Sequence, residues 1–163
     1  MNVDVSAELD GYWADTGAST AVGEVAPRVT RLLDGTRRAQ AEAMDAARAG
    51  RPLRHIGRAV QRCARRHGLS VVANIGGHGV GLFLHESPSV PNVDVPTNRT
   101  VLWEGLVLAI EPILSTSATG TTLAVEGDDG WTLRTVDGSL AAQHEHTVVV
   151  ARGKPLVLTS GAE

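Results

Sequence analysis

Residues 2–17, NVDVSAELDGYWADTG, are the stretch from which the fold can be read outward. Val3, Val5, Ala7 and Leu9 alternate with Asp4, Ser6 and Glu8, which is the period of a strand. Asp10-Gly11 follows, the strongest short signal for a two-residue hairpin turn, and Tyr12 to Val22 runs back as the partner strand. With that turn, Leu9 faces Tyr12 and Ser6 faces Asp15. Asp4 and Asp15 then share one face of the ribbon as diagonal neighbours, ~7–8 Å apart at the backbone. Two carboxylates at that range can hold one metal ion between them or bridge a pair. For the hairpin alone, two solvent-facing acids are the simpler reading.

Downstream the period changes. Val29, Leu32, Leu33, Thr36, Gln40, Ala43, Met44 and Ala47 recur at helical spacing, with Pro27 in the first turn and Gly50 and Pro52 at the stop. A second helix is expected from about Leu53 to His67, with Leu53, Ile56, Val60, Cys63 and Ala64 inward and Gly68 as its stop. Its other face carries Arg54, Arg58, Arg62, Arg65 and Arg66, which reads as a solvated basic face. Strands are expected at Leu69–Ala73, His78–His85, Gly105–Ile113, Trp131–Thr135 and His144–Ala151. Ser87–Thr100 and Ser115–Gly130 read as loops. An opening hairpin, two helices and then several strands imply an α+β domain, with the helices packed on an antiparallel-rich sheet.

Composition narrows the function classes. Of 163 residues, 42% are hydrophobic and 20% charged, ordinary for a globular chain with one domain's worth of core. No apolar run approaches the ~20 residues of a membrane span, and nothing at the N-terminus resembles a signal peptide. The net charge of -3 and 3% aromatics argue against a nucleic-acid surface. Cys63 is the single cysteine, so a reducing cytoplasm is expected.

Three further stretches carry chemistry. In Gly77-His78-Gly79-Val80-Gly81-Leu82-Phe83-Leu84-His85-Glu86, the glycines allow close backbone approach. His78 and His85 are seven apart, so a regular strand would point them to opposite faces. They should not be equivalent ligands. One can bind metal while the other, after a bulge or bend, reaches substrate. Glu111 ends the apolar run Leu106–Ile110, where a buried carboxylate is costly unless it meets a cation. Glu145 opens another buried strand, with His144 and His146 on the opposite side. Asp4, Asp15, His78, Glu111 and Glu145 together offer hard oxygens and one imidazole, suited to Mn, Fe, Co or Zn. Two such ions sharing carboxylates can activate water and clamp a developing oxyanion, which is amide hydrolysis chemistry.

These motifs resemble one family, the type I methionine aminopeptidases of the pita-bread metallopeptidases. The carriers are NVDVSAELDGYWADTG, GHGVGLFLHESPSVPN, LWEGLVLAIEP and GWTLRTVDGSLAAQHEHTVVV, in the family's order and over nearly the whole chain. The resemblance implies a pita-bread α+β fold, mainly its C-terminal half, with residues 1–163 as a single catalytic domain. It implies two divalent metal ions: Asp4 chelating one, Asp15 and Glu145 bridging both, His78 and Glu111 on the second. His85 looks like the histidine that contacts the scissile amide. Phe83 and Trp131 match positions near the family's substrate pocket. The implied reaction is removal of N-terminal methionine from nascent proteins near the ribosome, with neither nucleic acid nor membrane as partner. Prolidases and aminopeptidase P enzymes share the five ligands; Trp131 to Thr147 looks like the methionine aminopeptidase version. A Pro-directed peptidase and an inactive peptide-binding fragment of the fold are the alternatives. The chain departs from the family at His144, where an aromatic residue is usual. It also begins almost on the first ligand, so it is expected to lack the family's N-terminal segment.

Overall fold

The computed structural model describes residues 1–130 and 132–161. Strands β1 (Asn2–Leu9) and β2 (Tyr12–Ser19) form the opening hairpin in the expected register, Leu9 opposite Tyr12 and Ser6 opposite Asp15. Asp10 (φ 53°) and Gly11 (φ 86°) are both left-handed, as a two-residue turn matched to strand twist requires.

Helix α1 (Pro27–Ala46) starts with proline in its first turn, and α2 (Arg54–Arg66) follows. At the end of α2, Leu69 N–H donates to the Ala64 carbonyl and Gly68 N–H to that of Arg65, with Gly68 at φ 63°. That is a glycine-terminated helix stop, and it delivers Leu69 into the core. Gly57 of α2 is fixed by packing: a Cβ there would lie 2.2 Å from the Val93 carbonyl oxygen.

Among the described residues the strands that follow are β3 (Ser70–Val72), β4 (Gly76–Gly79), β5 (Glu86–Pro91), β6 (Val107–Ile110), β7 (Ile113–Ser115), β8 (Thr121–Thr122), β9 (Ala124–Glu126), β10 (Leu133–Thr135) and β11 (Ala141–Val149), with a short β12 (Leu156–Val157) after them. The main sheet runs β5-β4-β6-β11-β7-β3-β8, antiparallel except for β3 with β8. The β1–β2 hairpin joins through β2, which pairs with β11, and β12 also pairs with β11. Strands β9 and β10 form a separate small hairpin.

Strand β11 is the seam of the sheet. It pairs along one edge with β7 and then β6, and along the other with β2 and then β12. Its side chains alternate strictly. Ala142, Val148 and, beyond the strand, Val150 enter the core with Leu108, Ile110 and Leu114 and with Ile56 and Val60 of α2. Gln143, Glu145 and Thr147 point to the other face. The helices cover the first face, and the second is open for chemistry.

Several expected elements are corrected. The strand expected over Gly105–Ile113 is interrupted at Glu111-Pro112, since proline has no N–H for a ladder. The strand expected over His78–His85 stops at Gly79, and residues 80–85 form a loop to β5. All of that β5 but Glu86 lies within the stretch read as a loop, and β8 and β9 lie within the later one. β11 begins at Ala141, so Glu145 sits in the middle of its strand instead of opening it. Among the described residues no helix is long and apolar enough to cross a membrane.

Candidate metal centre

The ladder places the acidic residues in rows. Asp4 pairs with Gly17 across the hairpin, and Gly17 pairs with Glu145. β11 keeps one register from Ile113 to Ile110, which sets Glu111 opposite Glu145. One row therefore reads Asp4, Gly17, Glu145, Glu111. The adjacent row on the same face reads Ser6, Asp15, Thr147, Ala109, His78. Its Asp15–Thr147 step is a pair of hydrogen bonds: Asp15 N–H donates to Thr147 Oγ1 at 2.9 Å, and that hydroxyl donates to the Asp15 carbonyl at 2.8 Å.

All five predicted ligands line one cavity of about 1010 Å³, and His85 lines it too. Asp15, His78 and Glu145 offer ligand atoms within 4.8 Å of one another. His78 Nε2 lies 3.8 Å from Asp15 Oδ2 and 3.7 Å from Glu111 Oε1. Gly17 separates the Asp4 and Glu145 carboxylates; a Cβ there would sit 3.2 Å from Glu145 Oε2 and 3.4 Å from Asp4 Cγ.

His78, Asp15, Glu111 and Glu145 are each held from behind through one side-chain atom. His78 Nδ1 is 2.9 Å from the Gly79 carbonyl, an acceptor only, so Nδ1 carries the proton and Nε2 presents its lone pair inward. Asp15 Oδ1 accepts from Ser6 Oγ at 3.0 Å. Gln143 Nε2 donates at 3.1 Å to both Glu111 Oε2 and Glu145 Oε2. Gln143 is in turn oriented by Asn2, whose Nδ2 donates to its Oε1 at 2.9 Å. Glu145 Oε1 is buried with no hydrogen-bond partner.

Burial pushes the Glu145 carboxyl up to about 9, and the nearby charges of Glu111, Asp15 and Asp4 add to the rise. Burial also pushes Glu111 up to about 8, with Asp4 adding to it and the Gln143 hydrogen bond opposing it. Crowded carboxylates under strong desolvation are unfavourable unless protonated or bound to a cation. An orphaned buried oxygen, an imidazole whose Nε2 is aimed between two carboxylates and a glycine where a side chain would fill the space all fit divalent metal. The donor set fits hard or borderline ions.

His85 returns to the site by the loop of residues 80–85. Its ring stacks edge-to-face on His78, centroids 4.3 Å apart. Leu84, Ile75, Ile113 and Leu133 give the cavity an apolar wall. Phe83 does not join them: it is 70% exposed and lies outside the lining, so the geometry gives no support to a substrate contact by its side chain. Trp131 lies outside the described residues. Sequence reasoning assigned no role to Gln143, Ser6, Gly17 or Thr147. The register was the available signal for Gly17, which lies two residues beyond Asp15 on the same face.

Comparison with known proteins is consistent with this geometry. The model of metallopeptidase family M24 matches residues 1–152. Methionine aminopeptidase 2 of Bacillus subtilis is 39% identical over 160 residues, covering 98% of this chain and 63% of the relative. The methionine aminopeptidase of Staphylococcus epidermidis is 44% identical over 161 residues, with the same coverages of 98% and 63%. The crystal structure of methionine aminopeptidase from Thermotoga maritima superposes with a TM-score of 0.90 at 35% identity, over 98% of this chain and 63% of that one. The chain thus spans 63% of the length of these relatives.

Proposed function

The chain belongs to metallopeptidase family M24, and from that premise we propose that it is a dinuclear-metal aminopeptidase removing N-terminal methionine from nascent proteins. The observation that carries the reading is the Glu145 carboxylate, buried with one oxygen unpartnered and within ligand range of Asp15 and His78. In this proposal Asp4, Asp15, His78, Glu111 and Glu145 would hold the ions between them. The ions, when bound, supply Lewis acidity that activates water and offsets charge developing on the scissile carbonyl.

The chain's own residues do the rest. Asp4 and Asp15 project from one hairpin face, and Thr147 grips the Asp15 backbone on both sides. Gln143 spaces Glu111 from Glu145. His85 is proposed to contact the scissile amide and steady the tetrahedral intermediate. The wall of Ile75, Leu84, Ile113 and Leu133 suits an unbranched apolar side chain, which methionine provides. A cytoplasmic setting near the ribosome follows from this substrate class and from the single cysteine.

The test is metal-free protein reloaded with Mn or Co and offered Met-Ala-Ser and an Xaa-Pro peptide, with bound metal counted. Two ions per chain and cleavage of Met-Ala-Ser are expected. Cleavage of Xaa-Pro alone would make the chain a Pro-directed peptidase. Two bound ions with neither peptide cleaved would make it a binding module.

A further inference from the structure

Glu86 has no place in the metal centre or the apolar wall, yet its carboxylate is turned back into the loop that carries His85. Gly79 and Glu86 are paired across β4 and β5, so residues 80–85 close a hairpin. Glu86 Oε1 accepts the Phe83 N–H at 2.8 Å. Its two oxygens lie 3.1 and 3.2 Å from where a Cβ on Gly81 would be, so the carboxylate occupies the inside of the loop. Within it, Gly81 N–H donates to the Phe83 carbonyl at 3.1 Å. The Gly81 carbonyl accepts from Trp13 N–H at 2.8 Å, which fastens the loop to β2 two residues from Asp15. No other hydrogen bond or ion pair holds the Glu86 side chain among the described residues.

We propose that Glu86 is the positioning residue of the 80–85 loop, holding His85 against His78 at the cavity by accepting the Phe83 N–H inside the loop. This rests on the aminopeptidase reading for its consequence in catalysis, but not for its geometry. A charged acceptor makes a stronger bond to a backbone N–H than a neutral one. A glutamine keeps the acceptor oxygen and an alanine removes it. The loop is short and its tip is exposed at Leu82 and Phe83, so it has little buried apolar surface to order it otherwise.

The experiment compares Glu86→Gln, Glu86→Ala, His85→Ala and the double variant His85→Ala/Glu86→Ala in the full chain. In metal-free protein, amide hydrogen exchange at Phe83 is expected to stay slow in Glu86→Gln and to quicken at least about tenfold in Glu86→Ala. In Mn-loaded protein, Glu86→Ala is expected to lower kcat about tenfold to a hundredfold, with metal stoichiometry and KM held and with Glu86→Gln largely restoring the rate. In the His85→Ala background, adding Glu86→Ala should cost nothing more, because both act through one group. Unchanged Phe83 exchange in Glu86→Ala overturns the proposal, as does a full additional loss of kcat in the His85→Ala background. If the parent cleaves no peptide, the aminopeptidase reading fails. The exchange data, with the His85–His78 ring contact followed by NMR, still decide whether Glu86 orders the loop.

Discussion

The floor of the cavity is the main strand ladder, while part of its wall lies outside that ladder, on the 80–85 loop and the β9–β10 hairpin. On the floor, Glu145 is 2% exposed and Asp15 6%, each on a residue fixed by neighbours on both sides. On the walls, Leu133 is 57% exposed, and His85 stands on a six-residue hairpin loop. The floor fixes where charge sits; the walls fix what lies next to it. A ladder sets positions by register, so one residue's placement dictates the next. Loop positions depend on individual bonds such as Glu86 to Phe83, and they can be altered without disturbing the ladder.

That contrast is broken most severely by Glu145→Ala. On the proposed role of Glu145, its removal should displace at least one ion and lower kcat/KM on the order of 10³-fold or more, since several kcal/mol of transition-state stabilisation go with it. The same variant should melt higher than the parent at pH 9 without metal, because a buried, crowded carboxylate is gone. Retention of two ions in Glu145→Ala would show that the floor does not hold them as proposed. His85→Ala, on the wall, should lower kcat by about 10²–10³-fold, the cost of removing one donor to a developing oxyanion. Counting metal in that variant separates the regions: two ions retained keeps His85 on the wall, and a lost ion moves it to the floor.

Gln143→Ala should weaken metal affinity by about 10–100-fold, as removal of a group orienting two ligands does. Competition with a chelator measures it, and an unchanged affinity would leave Gln143 as packing only. Leu133→Ala should raise KM for Met-Ala-Ser about threefold to tenfold at constant kcat, the lower range for lost apolar contact because the side chain is half in solvent. Loss of kcat instead would tie the β9–β10 hairpin to the chemistry.

A separate effect on the metal-free protein concerns pH. Glu111 and Glu145 titrate at about 8 and about 9 in the folded metal-free protein, against 4.5 when unperturbed. Between those limits the folded state holds protons that the unfolded state has released. Metal-free stability is therefore fullest below pH 4.5 for these two groups and is lost as pH rises toward 9. The midpoint of thermal unfolding should fall from pH 6 to pH 9, at about 2–4 °C for each kcal/mol in a chain of this size. Metal addition at pH 7 should abolish the slope and release protons to the buffer. A flat metal-free profile would mean that the two carboxyls are ionised at pH 7 without a counter-ion.

The sequence made the floor legible where local chemistry dictated register. Asp10-Gly11 alone set Ser6 opposite Asp15 and Asp4 on the same face, and the structure keeps that pairing. Helix α2 was readable from its inward Ile56, Val60 and Cys63. β11 was harder. Ala141-Ala142 carries no strand signal and Gln143 to Thr147 is polar at every position, with Gln143, Glu145 and Thr147 facing a cavity instead of a core, so its first three residues did not read as a strand. β5 was hidden by Pro88 and Pro91, and the loop of residues 80–85 by its apolar Leu82, Phe83 and Leu84, which imitate a buried strand. Of the partners of Gln143 only Glu145, two residues along the same strand face, is local; Asn2 and Glu111 lie 141 and 32 residues away, and no local spacing encodes that meeting.

The seam strand has a consequence for how the molecule comes into being. During synthesis, the opening hairpin can close early, since none of its paired residues is more than 17 positions apart. Asp4, Asp15, His78 and Glu111 all emerge before β11, whose first residue is Ala141. Until that strand inserts between β2 and the β6–β7 edge, those four side chains have no common floor. The Asp15–Thr147 clamp spans 132 positions and must wait for it. Long-range pairing of this kind is slow to form. Convergence of all five side chains on one cavity is thereby delayed until β11 has emerged and paired.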